Sequence, residues 1–222
     1  GFPLPQGVEK AVDEADGVSS HSTLGVAPVS VGRPMSESNV TYAGMYAFYF
    51  KGPLGKSMGL SSLGEELKSD EPGFYASEGK AKAMKWKVGD EVPMYRVGQG
   101  EMGKIKLLGI YTEPLQSQTL LNEAALKPYL GQGKPLDETE DLSILQILVH
   151  GDGNISEKDL KDNVSKAVEP FIVADVLTPT EYAGTVSSGI DQMLMILNAM
   201  LALSILVAIL GIINTLALNV IE

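Results

Sequence analysis

The chain of 222 residues has no cysteine and only two histidines. Without cysteine it can form no disulfide bond, no thiolate nucleophile and no cysteine-ligated zinc site. His21 and His150 have no partner nearby in the sequence, so a zinc site would need both of them and carboxylates from distant loops. We therefore expect neither a metal nor a cofactor.

Basic residues are also scarce, since 17 lysines and arginines stand against 28 acidic residues and the net charge is −11. A surface of this sign repels phosphate backbones and anionic lipid headgroups. Nucleic acid is therefore not expected as a partner. The excess of acid also serves solubility, which is the interpretation we prefer.

Charge is missing altogether from residues 192–221, which read QMLMILNAMLALSILVAILGIINTLALNVI. A helix needs about 20 apolar residues to cross the roughly 30 Å hydrocarbon core of a bilayer, and this stretch could reach about 45 Å. The alternative is a buried core helix, but such helices rarely run this long without a charge on one side. The pattern predicts a transmembrane helix over 192–221, surrounded by membrane lipid.

The residues that precede this stretch predict its orientation. The nearest basic residue on that side is Lys166. Four acidic residues lie between it and the apolar stretch: Glu169, Asp175, Glu181 and Asp191. Because cytoplasmic flanks favour Lys and Arg, the folded part is expected outside the cell membrane. The chain starts at Gly1 with no targeting segment, so we expect a piece of a larger protein.

The first 178 residues alternate short helices with short strands. Capping and apolar periodicity predict helices at 5–15, 80–87, 120–130 and 156–169. Alternation and β-branched runs predict strands at 18–31, 40–50, 91–97, 104–111, 142–150 and 171–177, with loops over 52–76. The strand, helix and strand between 142 and 177 are expected to form a compact α/β unit. The fold class is α+β.

A single long helix is predicted from residue 179 to residue 221. Thr178, Pro179 and Glu181 supply an N-cap, a proline at the first helical position and a capping-box acid. The 43 residues span about 64 Å, which is twice the apolar thickness of a bilayer, so residues 179–191 are expected to stand above the membrane as a stalk. Small residues soften the stalk junction and permit a hinge: Gly184, Ser187, Ser188 and Gly189.

Two glycine-rich motifs imitate nucleotide sites. Gly98, Gly100 and Gly103 spell G-x-G-x-x-G, but the strand KIKLLGIY follows instead of a helix, so a hairpin loop is the better interpretation. The triplet at 55–57 resembles the end of a P-loop, yet Phe50 occupies the position of its first glycine. Neither motif predicts a nucleotide site.

The remaining chemical motifs also fail. Asp152, Asn154 and Ser156 resemble the start of a calcium loop, but Glu157 and Asn163 stand where that loop needs Gly and Glu. Ser156 with Asp159 instead predicts a helix cap. The chain has no G-x-S-x-G elbow and no serine that can be tied to a base. We expect no catalytic residue and no enzyme activity.

Polar and small residues inside the apolar stretch predict contacts with other helices. Ser204, Gly211 and Thr215 would let a neighbouring helix approach closely, and Asn214 could donate a hydrogen bond across the interface. The alternative is that these side chains are tolerated and bonded to their own backbone. A bundle of several helices accounts for them better than a lone anchor.

The stretch LALSILVAILGIINTLALNVIE resembles the second transmembrane segment of the FtsX-like permease family, which includes the MacB-type ABC transporters. That family shows a Leu/Val run, then Gly-(Ile/Val)-x-Asn-Thr-Leu, then an apolar stretch that ends in Glu-Arg. The matching positions here are Gly211, Ile212, Asn214, Thr215, Leu216 and Glu222. KVGDEVPMY with KIKLLGIY is similar to the family's hairpin before a Val-x-Gly-Ile strand.

The resemblance implies an extracytoplasmic domain between the first and second transmembrane helices of a permease. Its Porter-like α/β part would comprise residues 1–44 and 116–178, with an inserted, mainly β part over 45–115. In this family a cytoplasmic ABC ATPase subunit drives a pair of permease copies, and the stalk transmits the motion to the outer domain. An extracytoplasmic protein or peptide is a further expected partner.

Two other functions remain open at this point. The chain could be a single-span, membrane-anchored module that binds an extracellular or cell-wall component. It could also be an anchored extracellular hydrolase, although no convergent cluster of acid, base and nucleophile is evident. The permease interpretation predicts about four spans in the whole protein, and the anchored module predicts one.

Overall fold

A computed structural model describes residues 3–5, 7–34, 46–54, 67, 70–96, 99–112, 119–131, 140–172 and 174–221. The side chains of Val186, Thr215 and residues 217–221 lie outside this description. So do residues 40–45 of the strand predicted over 40–50 and the P-loop-like triplet at 55–57. The chain divides into two compact units, Gly1–Asp175 and Val176–Glu222.

In the first unit, the described residues form one mixed sheet with short helices. The strands are β1 (Val18–Ala27), β2 (Val29–Val31), β3 (Ala47–Lys51), β4 (Gly73–Ser77), β5 (Glu91–Arg96), β6 (Gly100–Tyr111), β7 (Thr119–Asn122) and β8 (Ser143–Gly151). The helices are α1 (Val8–Asp13), α2 (Glu78–Met84), α3 (Glu123–Leu126) and α4 (Glu157–Val168), and a 3₁₀ turn covers Lys127–Tyr129.

The eight strands lie in the order β2-β5-β6-β4-β7-β3-β1-β8. The pairs β3–β7 and β4–β6 are parallel, and the other neighbours are antiparallel. β3 belongs to the predicted insert, and it lies between β1 and β7, which belong to the predicted α/β part. One sheet therefore contains strands of both predicted parts. The boundaries 1–44, 45–115 and 116–178 stay a prediction.

Pro28 separates β1 from β2 within the single strand predicted at 18–31. A proline has no N–H to donate to a sheet ladder, so it interrupts pairing at this position. Up to Ala27 the chain pairs with β3, and from Val29 onward it pairs with β5. Within β1, Gly25 allows close packing, because a Cβ there would lie 2.5 Å from both the Ser143 carbonyl and the Tyr49 ring.

Apolar side chains cover both faces of the middle strands. In β4, Phe74 belongs to one core cluster and the next residue, Tyr75, belongs to the other. In β7, Leu121 and Leu120 divide between the same two clusters. Because successive strand residues point to opposite faces, these strands are buried from both sides. Each such side chain stabilises the fold by about 1.5–3 kcal/mol.

This burial explains two wrong predictions. Residues 73–76 were expected within a loop, and residues 120–122 within a helix, yet both segments lie in strands. All residues of both strands are buried, so neither shows the alternation that marks a half-exposed strand. The helix in the second segment begins only at Glu123, where Asn122 accepts a hydrogen bond from the Ala125 N–H.

The strand predicted at 171–177 was also wrong. The described residues there contain turns, since the Phe171 N–H bonds to the Val168 carbonyl at 2.8 Å and the Ala174 N–H bonds to the Phe171 carbonyl at 2.9 Å. Ile172 is 99% exposed, which leaves this apolar residue without a face to pack on. The expected strand–helix–strand unit is therefore only β8 followed by α4.

The second unit is one helix, α5 (Pro179–Ile221), with the bounds that its sequence predicts. The Glu181 N–H bonds to the Thr178 hydroxyl oxygen at 3.2 Å, and the Thr178 N–H bonds to the Glu181 carboxylate at 2.8 Å. This reciprocal pair is a capping box. The α+β fold class and the long C-terminal helix are confirmed.

Replacing the cap residue, Thr178→Ala, is expected to loosen the first turn of α5. Loss of an N-cap hydroxyl costs about 1 kcal/mol, which corresponds to roughly fivefold faster amide exchange in the first turn. Hydrogen exchange of residues 180–182 measures this change. Thr185→Ala serves as the control, because that hydroxyl bonds to the Glu181 carbonyl inside the helix and not to an orphan N–H. Equal exchange in both variants would show that the cap contributes nothing.

Candidate functional site

The surface of α5 is the largest exposed apolar feature of the described chain. Its large apolar side chains from Ile190 to Leu216 are between 48% and 69% exposed. Soluble proteins seldom leave a continuous apolar surface of this length in water. By length and composition, this is the one helix among the described residues that could cross a membrane, and none of its most apolar window is buried by the rest of the chain.

Three hydroxyls of α5 bond to the backbone of their own helix. Ser204 Oγ donates to the Met200 carbonyl at 2.9 Å, and Thr185 Oγ1 donates to the Glu181 carbonyl at 3.0 Å. Ser188 Oγ donates to the Thr185 carbonyl at 2.9 Å. Such bonds satisfy a hydroxyl in an apolar medium without a second helix. The predicted packing role of Ser204 thus depends on its small size.

The other predicted residues of α5 are placed along one continuous helix. A Cβ added at Gly184, Gly189 or Gly211 would meet nothing within 4 Å, so the space beside each glycine is open. Ser204, Gly211 and Thr215 follow one another at seven and four residues, which places Gly211 and Thr215 each about 20° from Ser204 around the axis, on opposite sides of it. Asn214 lies about 80° away from Ser204.

Ser204, Gly211 and Thr215 make a narrow stripe of small residues on one side of the helix. The Thr215 side chain itself lies outside the described residues. Helix packing by Ser204, Gly211, Asn214 and Thr215 stays a prediction, and so does a hinge at Gly184, Ser187, Ser188 and Gly189. Ser187 is exposed and lies within the regular helix.

In the first unit, His21 has charged partners that its sequence does not reveal. Its Nδ1 lies 2.6 Å from Asp13 Oδ1, and its Nε2 lies 3.7 Å from Glu9 Oε1. The other Glu9 oxygen lies 3.5 Å from Lys51 Nζ, and the Thr23 hydroxyl donates to Glu9. The network joins α1 to β1 and β3. The only sequence signal for it is the spacing of Glu9 and Asp13, four residues apart on one helix face.

The two histidines cannot share a metal ion. His21 pairs with Val149 across the β1–β8 ladder, and His150 pairs with Ser20. Residues directly opposite share a face and successive residues alternate, so the two imidazoles lie on opposite faces of the sheet. Among the described residues, no group of three or more His, Asp or Glu side chains is arranged to hold a metal.

The calcium-like triplet is a turn followed by a helix cap, as predicted. Asp152 Oδ1 accepts a hydrogen bond from the Asn154 N–H at 2.8 Å, and this bond holds the pKa of the Asp152 carboxyl below its usual value. Ser156 accepts from the Asp159 N–H at 3.1 Å and thereby caps α4. Gly100 and Gly103 lie inside strand β6, so the second half of the G-x-G-x-x-G motif belongs to the predicted hairpin.

No family model and no curated protein matches the chain. Among solved structures, it is similar to the periplasmic region of MacB from Actinobacillus actinomycetemcomitans, with 9% identity and a TM-score of 0.47 over 76% of this chain and 74% of that one. It is also similar to a domain assigned to a permease protein of Porphyromonas gingivalis, with 16% identity and a TM-score of 0.43 over 77% and 79% of the two chains. A third similar structure is the extracellular domain of the noncanonic ABC-type transporter YknZ from Gram-positive bacteria, with 12% identity and a TM-score of 0.41 over 76% and 91%.

Proposed function

We propose that this chain is the extracytoplasmic domain and second transmembrane helix of an ABC-transporter permease of the FtsX/MacB type. The observation that carries the proposal is α5. It is one uninterrupted, capped helix of 43 residues, and its exposed apolar stretch contains the Gly-Ile-x-Asn-Thr-Leu motif of such permeases.

The length of α5 supports a role in transmitting motion. At about 1.5 Å per residue the helix measures about 64 Å, so about half of it exceeds the thickness of the hydrocarbon core. A continuous helix carries an axial displacement from one end to the other, because each peptide is hydrogen-bonded to the next turn. Residues 179–191 form the stalk in this proposal, and its glycines and serines localise any bending.

The partners follow from this function. A cytoplasmic ABC ATPase subunit supplies the motion, and a second permease copy packs against the stripe that contains Ser204 and Gly211. Membrane lipid covers the remaining apolar surface of α5. The folded unit lies outside, since no Lys or Arg lies between Lys166 and the span, and it meets an extracytoplasmic protein or peptide. The chain has no catalytic function of its own in this proposal.

One observation favours the alternative, a single-span anchor for an extracellular binding module. The Ser204 hydroxyl is bonded within its own helix, so it requires no second helix for its hydrogen bond. The two functions differ in the number of spans in the intact protein and in whether an ATPase binds.

Single cysteines in the intact gene product test the proposal, because the chain itself contains no thiol. We expect Ser187→Cys to react with a membrane-impermeant maleimide added outside intact cells. Ser204→Cys should react only after detergent solubilisation, because it lies within the bilayer. Any cysteine elsewhere in the intact protein is replaced first, and this thiol-free parent controls for background labelling.

Copurification supplies the second half of this test. The permease function predicts several spans and a bound ATPase subunit. One span without an ATPase would overturn it in favour of the anchored module. Labelling of Ser187→Cys only from the cytoplasmic side would reverse the orientation and refute an extracytoplasmic domain.

A further inference from the structure

Lysines are concentrated at one place on this acidic chain. Four of the eight residues from 80 to 87 are lysines, although the chain has only 17 basic residues among 222. Lys80 and Lys82 lie in α2, and Lys85 and Lys87 lie in the turn after it. A local positive field therefore stands on a molecule whose net charge is −11.

A groove opens beside these lysines, with a volume of about 410 Å³. Its apolar lining comes from Ala81, Trp86 and Ile110, its basic rim comes from Lys82, Lys85 and Lys87, and Glu78 is its one acidic lining residue. We call this site the lysine groove. The Trp86 ring packs edge-on against the Phe74 ring, with their centroids 5.4 Å apart, and this contact holds it in place. The groove thus combines an apolar floor with exposed cations.

Lys85 has a left-handed backbone conformation, which is strained for a lysine. Its φ is +58°, and among the described residues it is the only one other than glycine with a positive φ. The Lys85 N–H bonds to the Lys82 carbonyl and the Trp86 N–H bonds to the Ala81 carbonyl, which is the helix end that glycine normally occupies. An L-residue is strained in the left-handed region, whereas glycine is not.

The positive charge of the groove is only partly neutralised. Glu78 forms an ion pair with Lys82 at 2.7 Å, but among the described residues no acidic side chain lies within ion-pair distance of Lys85 or Lys87. Lys85 and Lys87 are both exposed, so each can pair with an anion bound in the groove.

We propose that the lysine groove binds an acidic segment of a protein partner, with one apolar side chain of the segment inserted over Trp86. The apolar floor accounts for the inserted side chain, and the lysine rim accounts for flanking aspartates and glutamates. A peptide fits better than a lipid surface because the apolar residues line a concavity, whereas membrane-binding patches present protruding apolar side chains to the bilayer. This inference does not depend on the orientation of α5.

The chain carries its own reporter for this binding. Trp86 is the only tryptophan, so its fluorescence reports on the groove alone. The probe is the peptide acetyl-Glu-Asp-Leu-Glu-Asp-amide, added to the full chain in phosphatidylcholine nanodiscs. We expect a saturable change in emission that weakens as salt is raised. The amide analogue acetyl-Gln-Asn-Leu-Gln-Asn-amide should bind much more weakly.

Two variants separate binding from folding. Lys85→Gly removes one rim cation and also relieves the left-handed backbone, so it should bind the probe about two- to fivefold more weakly while unfolding at the same or higher urea concentration. Lys87→Gln should weaken binding by a similar factor. Lys158→Gln, on the exposed side of α4, removes the same charge elsewhere and should bind like the parent.

Three results would overturn the proposal. The first is no saturable response to the acidic peptide. The second is equal loss in Lys85→Gly, Lys87→Gln and Lys158→Gln, which would reduce the effect to net charge. The third is a response of Trp86 to phosphatidylglycerol in the nanodisc but not to the peptide, which would assign the groove to a lipid surface.

Discussion

The double substitution Leu203→Asp/Leu210→Asp is expected to remove the 222-residue chain from the membrane. Both leucines lie in the middle of α5 and are more than half exposed. Each aspartate near the centre of a span costs about 2.5–3.5 kcal/mol, so two cost about 6 kcal/mol. The 14 Leu, Ile and Val side chains that remain between residues 192 and 221 gain about 4–8 kcal/mol. The two acids therefore offset most of the gain of the span.

The measurement is the fraction of chain that resists alkaline carbonate extraction from membranes. Ser187→Asp/Ser188→Asp adds the same two charges on the same helix, but before residue 192, and should stay in the membrane fraction. Leu203→Met/Leu210→Met controls for the loss of leucine. If the acidic pair at 203 and 210 left extraction unchanged, α5 would not be a membrane span.

Asn122→Ala is expected to destabilise the first unit by about 3–4 kcal/mol. Asn122 is fully buried, and its Oδ1 accepts from the Gly73 N–H at 3.1 Å and from the Ala125 N–H at 3.0 Å. Its Nδ2 donates to the Glu71 carbonyl. Alanine would remove the N-cap of α3, the acceptor of the buried Gly73 N–H at the start of β4 and the donor to the Glu71 carbonyl, at about 1 kcal/mol or more for each bond.

Urea unfolding followed by Trp86 fluorescence measures this loss in the full chain held in micelles. Asn163→Ala is the matched control, because among the described residues its amide makes a single hydrogen bond, 3.0 Å to the Asp16 carbonyl, and its loss should cost about 1 kcal/mol or less. Asn122→Asp keeps both acceptor bonds but buries a charge and loses the donor, so it should also be destabilised. An Asn122→Ala midpoint close to that of Asn163→Ala would refute the proposed role of Asn122 in joining β4 to β7.

The elements that could be predicted are those with local signals. The bounds of α5 follow from Thr178, Pro179 and Glu181, and its length follows from the missing charge. The cap Ser156 and the alternation of β5 and β6 depend on neighbours within a few residues. Such features can be read from a window of sequence because their causes lie inside that window.

The elements that could not be predicted depend on distant partners. β4 and β7 are recognisable as strands only once both of their faces are covered, by residues that come from other parts of the chain. The opposite error at 171–177 has the same origin, because β-branched residues predict a strand even where no neighbouring strand accepts it. The β-propensity of a segment states which backbone conformation its residues favour, but not whether a neighbouring strand is available to pair with it.

The lysine groove shows the same division. The four lysines and Trp86 stand together in the sequence, whereas Ile110 arrives from β6 and Phe74 from β4. Charge was therefore visible before the structure, but the concavity beside it was not. The pairing of His21 with Asp13 was missed for a comparable reason, since a helix and a following strand must pack before the two side chains meet.

Because β1 lies between β3 and β8, its pairing in the sheet is complete only after β8 has been synthesised. Ser19 in β1 bonds to the His150 carbonyl, 131 residues later. At a rate of about 5–20 residues per second, the ribosome needs on the order of ten seconds to supply that partner. Until then one edge of β1 exposes unpaired N–H and C=O groups to other chains and chaperones. A slower delivery of β8 would therefore raise the yield of aggregate without altering any contact of the finished fold.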